Sequence, residues 1–287
     1  MNLHFPAGTL SRDGSLVEVD AARAGWSYSG LSVFDLTPGT SHRIRFEQVE
    51  AAVIPLQGSC TVAGPDYQFE LRERSSVFEA MPDVCYLPLG EEITLSSPRG
   101  ARVALATAEA SERRAARRYP AEDTRIEIRG AGQATRQING LLSAAVDGPQ
   151  RLMVVEVLTP GGNWSSYPPH KHDEWSEGEV PVEEIYYFLI RDSQSEGTGF
   201  GLHRTYTLDG VIDETVEVRN GDVFLVPRGY HGPCVAAPGY DMYYLNVMAG
   251  PDRQRRWMIT TDPAYAWLWE AWNETPADPR VPFYGTE

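Results

Sequence analysis

Hydrophobic residues fall in short runs along this chain, and glycines and prolines separate the runs. Each run holds three to seven residues and is rich in Val, Leu, Phe and Tyr. The 26 glycines and 21 prolines are spread over the whole sequence, so turn signals are frequent. Short strands with closely spaced turns are typical of a β-sandwich or β-barrel. The runs predicted as strands are residues 30–36, 53–56, 61–63, 102–106, 152–158, 185–190, 201–207, 216–218, 223–226 and 242–248.

Two other stretches have a helical composition. Residues 110–118 (ASERRAARR) are rich in Ala and Arg, and we expect a linker helix there. Residues 264–273 (AYAWLWEAWN) follow Asp262, a good N-cap residue, and Pro263, which suits the first helical position. Tryptophans make this second helix very apolar, so we expect it to dock onto a sheet or at a subunit interface. The pattern therefore predicts an all-β fold with a few short helices.

The two halves of the chain follow one pattern. Each half has a strand followed by a Pro-x-Gly turn, PLG at 88–90 and PRG at 227–229. A chain of 287 residues is also long enough for two domains. We predict an N-terminal barrel over 1–110, a linker over 111–145, and a C-terminal barrel with the terminal helix over 146–287. The first half has only isolated histidines, so we expect it to have kept the fold and lost the chemistry.

The charge balance and the cysteines narrow the choice of partners and compartment. Asp and Glu number 40 against 25 Lys and Arg, which gives a formal net charge of −15. This excess repels polyphosphate and anionic lipid, which excludes nucleic acids and membrane surfaces as partners. The three cysteines are far apart without a CxxC pair, as is typical of free thiols in a reducing compartment. No leader sequence or membrane span is evident, so we expect a cytoplasmic protein.

Histidines provide the candidate chemistry. In the segment HKH, His170 and His172 face the same side, because alternate residues of a strand point the same way. Lys171, the only lysine of the chain, then points to the other side. A carboxylate and a third imidazole from neighbouring strands would complete a metal site that suits Zn, Mn, Fe or Ni. A bare HxH is common outside metal sites, so the later glutamate and histidine carry the argument.

Glu184 and His231 are the candidates for the two remaining ligands. Glu184 opens an apolar strand in phase with Tyr186, so it would face the barrel interior. Glu183 is the alternative ligand, since a register slip of one residue exchanges the two. His231 follows the second Pro-x-Gly turn. His203 would be either a fifth polar group of the site or a histidine behind the ligands.

These motifs resemble those of the cupin superfamily, small β-barrels with the motifs G(x)5HxH(x)3–4E(x)6G and G(x)5PxG(x)2H(x)3N. Gly162 and the two histidines fit the first motif with a longer first gap, and an extra loop over 173–183 precedes Glu184. Gly221 and the PRG turn fit the second motif. His231 lies one residue early, and no Asn follows at the usual place.

These departures from the general cupin motifs point to a narrower family. The strings SSYPPHKHD, EEIYYF and DETVEVRNGDVFLVPRGYHGPCVAAPGYDMYYLNVMAGP, with Arg-Trp at 256–257, closely resemble the 5-deoxy-glucuronate isomerase family of bacterial myo-inositol catabolism. That family is related to the 5-keto-4-deoxyuronate isomerase of pectin degradation. The resemblance is strong over residues 152–257, and a long loop after HKHD is usual in the family. It implies a bicupin of two tandem jelly-roll barrels, with a divalent metal, Zn being favoured, in the C-terminal barrel. The metal ligands that it implies are His170, His172, Glu184 and His231.

The resemblance implies an aldose–ketose isomerase that converts 5-deoxy-D-glucuronate to 5-dehydro-2-deoxy-D-gluconate. The reaction moves hydrogen from C2 to C1, and the sequence has neither the GxGxxG nor the GxxxxGK[ST] pattern of a nucleotide cofactor. A metal at the C1 carbonyl and C2 hydroxyl would act as a Lewis acid while a base carries the proton. A metal-assisted hydride shift is the alternative. The candidates for the base are Asp173, the loop acids of 174–183, Tyr186 and Tyr244, whereas Glu184 loses basicity by holding the metal.

A uronate substrate needs a cation for its carboxylate inside this acidic protein. Arg204 and Arg228 are the first candidates, because arginine can bind a carboxylate through two hydrogen bonds. Tyr206 shares the face of its strand with Arg204. Lys171 is the alternative cation, although it points away from the ligands. Exposed β edges and the Trp-rich helix also predict a homo-oligomer.

Three other functions fit parts of the pattern. Another metal cupin enzyme, a dioxygenase or decarboxylase, would use the same ligand types. A non-enzymatic sugar-binding cupin is a second alternative, but the presence of all four ligands counts against it. The third is the pectin-pathway isomerase, against which the string PPHKHD favours the inositol enzyme.

Overall fold

A computed structural model describes residues 2–191 and 197–285. Helices in these residues are limited to short segments, and no helix among them is long and apolar enough to cross a bilayer. The two α-helices are α1 (Ala21–Ala24) and α2 (Leu268–Ala271). The 3-10 turns are Ala121–Asp123, Gly132–Ala134, Pro263–Tyr265 and Trp272–Glu274.

Strands make up the rest of the regular structure. The first nine are β1 (His4–Phe5), β2 (Val17–Val19), β3 (Ser29–Leu36), β4 (Ser41–Arg45), β5 (Val49–Ala63), β6 (Gln68–Arg74), β7 (Val84–Leu87), β8 (Glu92–Ser96) and β9 (Ala101–Glu109). The next six are β10 (Arg117–Tyr119), β11 (Ile126–Arg129), β12 (Arg136–Leu142), β13 (Met153–Thr159), β14 (Trp164–Ser165) and β15 (His170–Lys171). The last seven are β16 (Glu183–Ile190), β17 (Gly201–Tyr206), β18 (Asp213–Val218), β19 (Val223–Val226), β20 (Tyr230–Ala236), β21 (Met242–Ala249) and β22 (Thr260–Thr261).

The strands form three sheets. The first half forms a nine-stranded sheet with the path β10-β7-β5-β9-β3-β2, to which β4, β6 and β8 are attached. The second half forms a seven-stranded sheet, β1-β19-β16-β21-β13-β12-β11, and a six-stranded sheet, β18-β17-β20-β15-β22, with β14 beside β20. Every run predicted as a strand overlaps one of these strands. The all-β prediction is therefore confirmed.

The prediction of a linker helix over 110–118 is wrong. Part of this stretch forms β10, which pairs with β7 of the first sheet. Its arginines are bound by other groups: Arg113 by Glu91, Arg114 by the carbonyl oxygens of residues 148 and 149, and Arg118 by Asp83. These tertiary contacts outweigh the helical preference of Ala and Arg.

The apolar C-terminal stretch has the predicted N-cap but does not form one continuous helix. The Asp262 side chain accepts a hydrogen bond from the Ala264 N–H at 2.9 Å, and Pro263 occupies the first helical position. The segment then divides into two 3-10 turns around α2. Trp267 is 63% exposed, whereas the Trp272 ring packs against the Arg136 guanidinium.

The N-terminal strand of the chain crosses to the second half. The first residues of the chain form β1 at the edge of the second half's sheet, beside β19. The His4 imidazole lies 2.8 Å from Asp222, and the Ala7 N–H donates to the same carboxylate. Within the stretch 111–145, predicted as a linker, β10 joins the first sheet while β11 and β12 join the seven-stranded sheet.

The main apolar core lies between the two halves. It contains Ala52 and Ile54 of β5 and Ile185 and Tyr187 of β16, among residues from both halves. The intervening side chains of the same strands fill a separate core inside each barrel, for example Val53 in the first and Tyr186 in the second. Because alternate residues face opposite sides, each central strand serves its own barrel with one face and the interface with the other.

Two glutamates bind the halves to each other in a reciprocal way. Glu50 at the start of β5 accepts hydrogen bonds from the backbone N–H groups of residues 150–152, just before β13, at 2.6–2.7 Å. Glu183 at the start of β16 accepts from the backbone N–H groups of residues 27–29, around the start of β3, at 2.7–2.9 Å. The two halves are therefore structural repeats that contact each other through equivalent residues.

A fully buried ion pair also joins the halves. Arg74 of β6 donates two hydrogen bonds to Glu156 of β13, at 2.7 and 3.0 Å, and both side chains are inaccessible to solvent. The Tyr243 hydroxyl and the Asn139 amide also donate to Glu156. The buried carboxylate is thus satisfied from both halves at once.

Replacing Arg74 with Met should lower the free energy of unfolding by about 3–5 kcal/mol, because Glu156 would remain buried without its cation. The matched change Arg102→Met removes an arginine that pairs with Asp35 at the surface, and it should cost no more than about 1 kcal/mol. Chemical denaturation followed by circular dichroism measures both variants. Equal losses in the two variants would contradict the anchoring role of Arg74.

Candidate metal centre

Three histidines converge inside the second barrel. The pairing of β15 with β20 places His170 directly opposite His231. His172 follows two residues later, and the potential ligand nitrogens of the three side chains all lie within 4.8 Å of one another. His172 and His231 are buried, and His170 is half-buried.

Backbone carbonyls orient the three imidazoles. Nδ1 of His170 lies 3.3 Å from the Pro168 carbonyl oxygen. Nδ1 of His172 lies 2.9 Å from the Val182 carbonyl oxygen. Nδ1 of His231 lies 3.3 Å from the Gly229 carbonyl oxygen. A proton on Nδ1 that is donated to each carbonyl leaves the Nε2 lone pair free for the centre. This outer hydrogen bond is the usual device that fixes a metal-binding histidine.

Glu184 completes the cluster. Its Oε2 atom lies 3.0 Å from Nε2 of His172 and 3.1 Å from Nε2 of His231. Burial disfavours the charged form, but the contacts with these histidines hold the pKa of Glu184 well below its usual range. Burial and the neighbouring imidazoles lower the pKa of His170 well below its ordinary value. Burial disfavours the charged form of His172, but its contact with Glu184 raises the pKa of this imidazole, so a divalent metal bound here would replace a proton at His172.

The donor set fits a metal ion. Among the described residues, Nε2 of His231 is fully buried and makes no hydrogen bond, although Oε2 of Glu184 lies 3.1 Å away. A buried polar atom without a partner is costly unless another group satisfies it. Three imidazole nitrogens and one carboxylate oxygen are ligands for Zn, Mn, Fe or Ni.

Glu183, the alternative ligand, faces away from this centre. Its carboxylate is occupied by the three backbone N–H groups of residues 27–29. Glu184 instead shares its face of β16 with Tyr186 and Phe188, which belong to the barrel core.

A cavity of about 490 Å³ opens beside the cluster. His170 and Glu184 line it, together with the polar side chains of Ser166 and Asn246 and the ring of Trp257. Apolar side chains cover much of the remaining wall: Ile138, Met153, Val155, Val157 and Met248. The volume is within the range of small-molecule sites.

Tyr186 and Tyr244, predicted as candidate bases, lie on the cavity wall. Their hydroxyl oxygens are 3.2 and 3.0 Å from the Ser166 hydroxyl oxygen. Burial raises the pKa of Tyr186 and that of Tyr244 above the usual value for a phenol. This environment favours hydrogen-bond donation by the neutral phenols over their use as phenolate bases.

The structure does not bring Arg204, Arg228 or Tyr206 to the cavity. Arg204 is 39% exposed, packs over the Tyr206 ring and pairs with Asp213. Arg228 is 46% exposed and lies 3.5 Å from Asp209. The Tyr206 hydroxyl donates to the Asp262 carboxylate. Arg204 and Tyr206 lie on the outer face of β17, because alternate residues of a strand point to opposite sides. Arg228 lies in the turn between β19 and β20.

Lys171 and Asp173 stabilise the loop that follows the HKH segment. The Lys171 ammonium donates to Asp173 at 2.8 Å and to Glu179 at 3.0 Å, and it lies 3.2 Å from Glu174. Asp173 also accepts the Gly229 N–H at 2.7 Å. These groups bind one another at the turn before β20, and none of them lines the cavity.

His203 is a core histidine behind the cluster. Its Nδ1 is 3.0 Å from the Cys234 sulfur and its Nε2 is 3.0 Å from the Thr205 hydroxyl. Burial lowers the pKa of His203 to about 3, so the ring is neutral.

Sequence reasoning missed three arginines on the cavity wall, Arg125, Arg129 and Arg136. Arg125 directly precedes β11, Arg129 is the last residue of β11, and Arg136 is the first residue of β12. This region was predicted as a linker. The string RIEIR over 125–129 does alternate charged and apolar residues with the period of a strand. That alternation was the available signal.

Equivalent positions of the first barrel carry other residues. Glu50 is followed by Ala51, whereas Glu183 is followed by Glu184. Two residues after the Pro-x-Gly turn, the first barrel has Glu92, which pairs across the strands with Arg45. These positions therefore do not repeat the histidine cluster.

Two curated relatives match most of this chain. A chain from Geobacillus kaustophilus named 5-deoxy-glucuronate isomerase is 39% identical over 272 residues, which cover 94% of this chain and 96% of the relative. The protein of the same name from Bacillus subtilis strain 168 is 38% identical over 256 residues, covering 88% and 92%.

Solved structures give the same picture of the fold. The crystal structure of an IolB-like protein from Salmonella typhimurium LT2 superposes with a TM-score of 0.86 at 34% identity, covering 93% of this chain and 99% of that one. Oxalate decarboxylase from Lactobacillus farciminis gives a TM-score of 0.65 at 13% identity, covering 94% and 90%, and this likeness concerns the fold alone. These neighbours confirm the bicupin prediction. The sequence model of the KduI/IolB family matches residues 4–268, so the chain belongs to this family.

Proposed function

We propose that this protein is a metal-dependent 5-deoxy-glucuronate isomerase that forms 5-dehydro-2-deoxy-D-gluconate. The observation that carries the proposal is the convergence of His170, His172, His231 and Glu184 beside a cavity that His170 and Glu184 line. Relatives named for this activity match nearly the whole chain.

The residues that would hold the metal are His170, His172, Glu184 and His231. A bound divalent ion, with Zn favoured, supplies a Lewis acid for the carbonyl and hydroxyl at the reacting end of the sugar. The reaction moves one hydrogen between adjacent carbons, so it needs no external oxidant or reductant.

The chain's own side chains orient the substrate around this centre. The hydroxyl groups of Ser166, Tyr186 and Tyr244 form a connected group on the cavity wall. The two phenols are neutral and can donate to oxygens of the sugar. Among the described residues, the Asn246 side-chain amide nitrogen is buried without a hydrogen-bond partner, so it can donate as well. The apolar part of the wall excludes water, which strengthens these interactions.

We further propose that the reaction belongs to myo-inositol catabolism in the cytoplasm and that the enzyme is a homo-oligomer. The relatives named 5-deoxy-glucuronate isomerase support the first proposal. The exposed Trp267 and Trp269 support a subunit contact.

The His231→Ala variant should remain folded but lose bound metal and isomerase activity, because a fully buried ligand is removed. The variant His42→Ala, at an exposed histidine of the first barrel, serves as the control and should retain both. Elemental analysis, circular dichroism and an isomerase assay provide the three readouts. Full turnover by chelator-treated, metal-free enzyme would contradict the proposed role of the metal.

The neighbouring glutamates offer a matched pair of isosteric changes. Glu184→Gln should reduce metal affinity by about 10-fold or more, since a neutral amide is a poorer ligand than a carboxylate. Glu183→Gln should leave metal affinity unchanged and reduce stability, because it weakens the contact with residues 27–29. Metal titration and thermal denaturation separate the two effects. A loss of metal affinity in Glu183→Gln with unchanged affinity in Glu184→Gln would show that Glu183 is the ligand.

Turnover of 5-deoxy-glucuronate and 5-keto-4-deoxyuronate, measured side by side on the metal-loaded enzyme, tests substrate choice. We expect a clear preference for 5-deoxy-glucuronate. Preference for the second uronate would assign the chain to the pectin-pathway reaction of its family. Oxygen uptake or release of carbon dioxide without isomerisation would instead favour a dioxygenase or decarboxylase.

A further inference from the structure

A buried arginine lies on the wall of the same cavity as the histidine cluster. Arg136, the first residue of β12, is only 4% exposed, yet it lines the cavity. Its guanidinium donates one hydrogen bond, to the Ala134 carbonyl oxygen at 3.1 Å, and lies 5.7 Å from the centre of the Trp272 ring. Among residues 2–191 and 197–285, no carboxylate lies within ion-pairing distance of it.

A second arginine is placed beside it. The antiparallel pairing of β11 and β12 sets Arg129 directly opposite Arg136. Like charges in this position destabilise a sheet. Glu127 neutralises Arg129 through two hydrogen bonds, at 2.7 and 3.0 Å, so the pair retains one positive charge at Arg136. Burial, with a smaller contribution from Arg129, lowers the pKa of Arg136 to about 10. A bound anion would offset the cost of burying this charge.

The arginine pair and the histidine cluster lie towards opposite ends of the strands that form the cavity wall. One row of paired residues crosses the seven-stranded sheet: Phe188, Tyr244, Val157, Ile138 and Glu127. Along the strands, Glu184 lies four residues to one side of this row, whereas Arg136 lies two residues to the other side. The substrate of the proposed reaction has its aldehyde at one end and its carboxylate at the other.

We propose that Arg136 binds the carboxylate of the uronate substrate and thereby positions the aldehyde end at the histidine cluster, with Arg129 contributing to the positive field. This inference rests on the proposed function for the identity of the substrate. It assigns the role to a residue inside the cavity, in place of Arg204 and Arg228, whose guanidinium groups lie outside it. Arg136 is a positioning residue and takes no part in moving the hydrogen.

The decisive experiment compares Arg136→Gln with the wild-type enzyme on two substrates. For 5-deoxy-glucuronate, we expect KM to rise about 10- to 100-fold with kcat little changed, the scale of one charge-assisted hydrogen-bonded contact. For 5-deoxy-glucose, in which a hydroxymethyl group replaces the carboxylate, the same substitution should leave KM unchanged. Arg136→Lys should restore part of the affinity for the uronate only.

The control variant Arg219→Gln removes an arginine of the same barrel that pairs with Glu217 at the surface, and its KM should equal that of the wild type. An unchanged KM of Arg136→Gln for the uronate would overturn the proposal. An equal loss on both substrates would also overturn it, since that result indicates a structural role.

Binding of D-glucuronate, measured by calorimetry on the wild-type and Arg136→Gln proteins, separates this inference from the proposed function. We expect the variant to bind about 10-fold or more weakly. If the wild-type enzyme isomerised neither uronate, the proposed function would fail, and a loss of D-glucuronate binding in the variant would still support the anion site. Equal binding by the two proteins would overturn the role of Arg136.

Discussion

The structure depends on the two-residue alternation of its central strands, both faces of which are buried. On β16, Glu184 and Tyr186 face the barrel interior, whereas Ile185 and Tyr187 pack against the first half. A shift of one residue that moves Ile185 to the position of Glu184 would place a carboxylate in the apolar interface and an isoleucine beside the histidine cluster. The chemistry and the association of the halves therefore require the same register.

The first barrel supports the site without supplying its ligands. Glu50 and Glu183 fasten each half to the backbone of the other at equivalent positions. The Arg74–Glu156 pair adds a contact that neither half can complete alone. Because Glu183 and the candidate ligand Glu184 are adjacent, the contact between the barrels fixes the strand end that presents the carboxylate to the histidines.

Local patterns in the sequence predicted much of this arrangement, and tertiary contacts account for the rest. Short apolar runs between glycines and prolines located the strands, and the HxH spacing with the in-phase Glu184 located residues that the structure brings together. Residues 110–118 have a helical composition, but ion pairs with distant carboxylates hold the stretch in a non-helical conformation, which no local rule reveals. Arg204 has the right chemistry for an anion but the wrong face. Arg136 reaches the cavity because β12 pairs with β13 in the second half's sheet, whereas the sequence pattern predicts a linker there.

The N-terminal strand, which pairs with the second half of the chain, gives the molecule an order of assembly. Residues 4 and 5 are synthesised first, but their partners on β19, residues 223 and 224, emerge from the ribosome more than two hundred residues later. The seven-stranded sheet of the second half therefore gains its edge strand only after β19 has been synthesised. A fragment cut between the repeats would leave β19 with an unpaired edge and Asp222 without His4, so the second half alone would lack one strand of its own sheet.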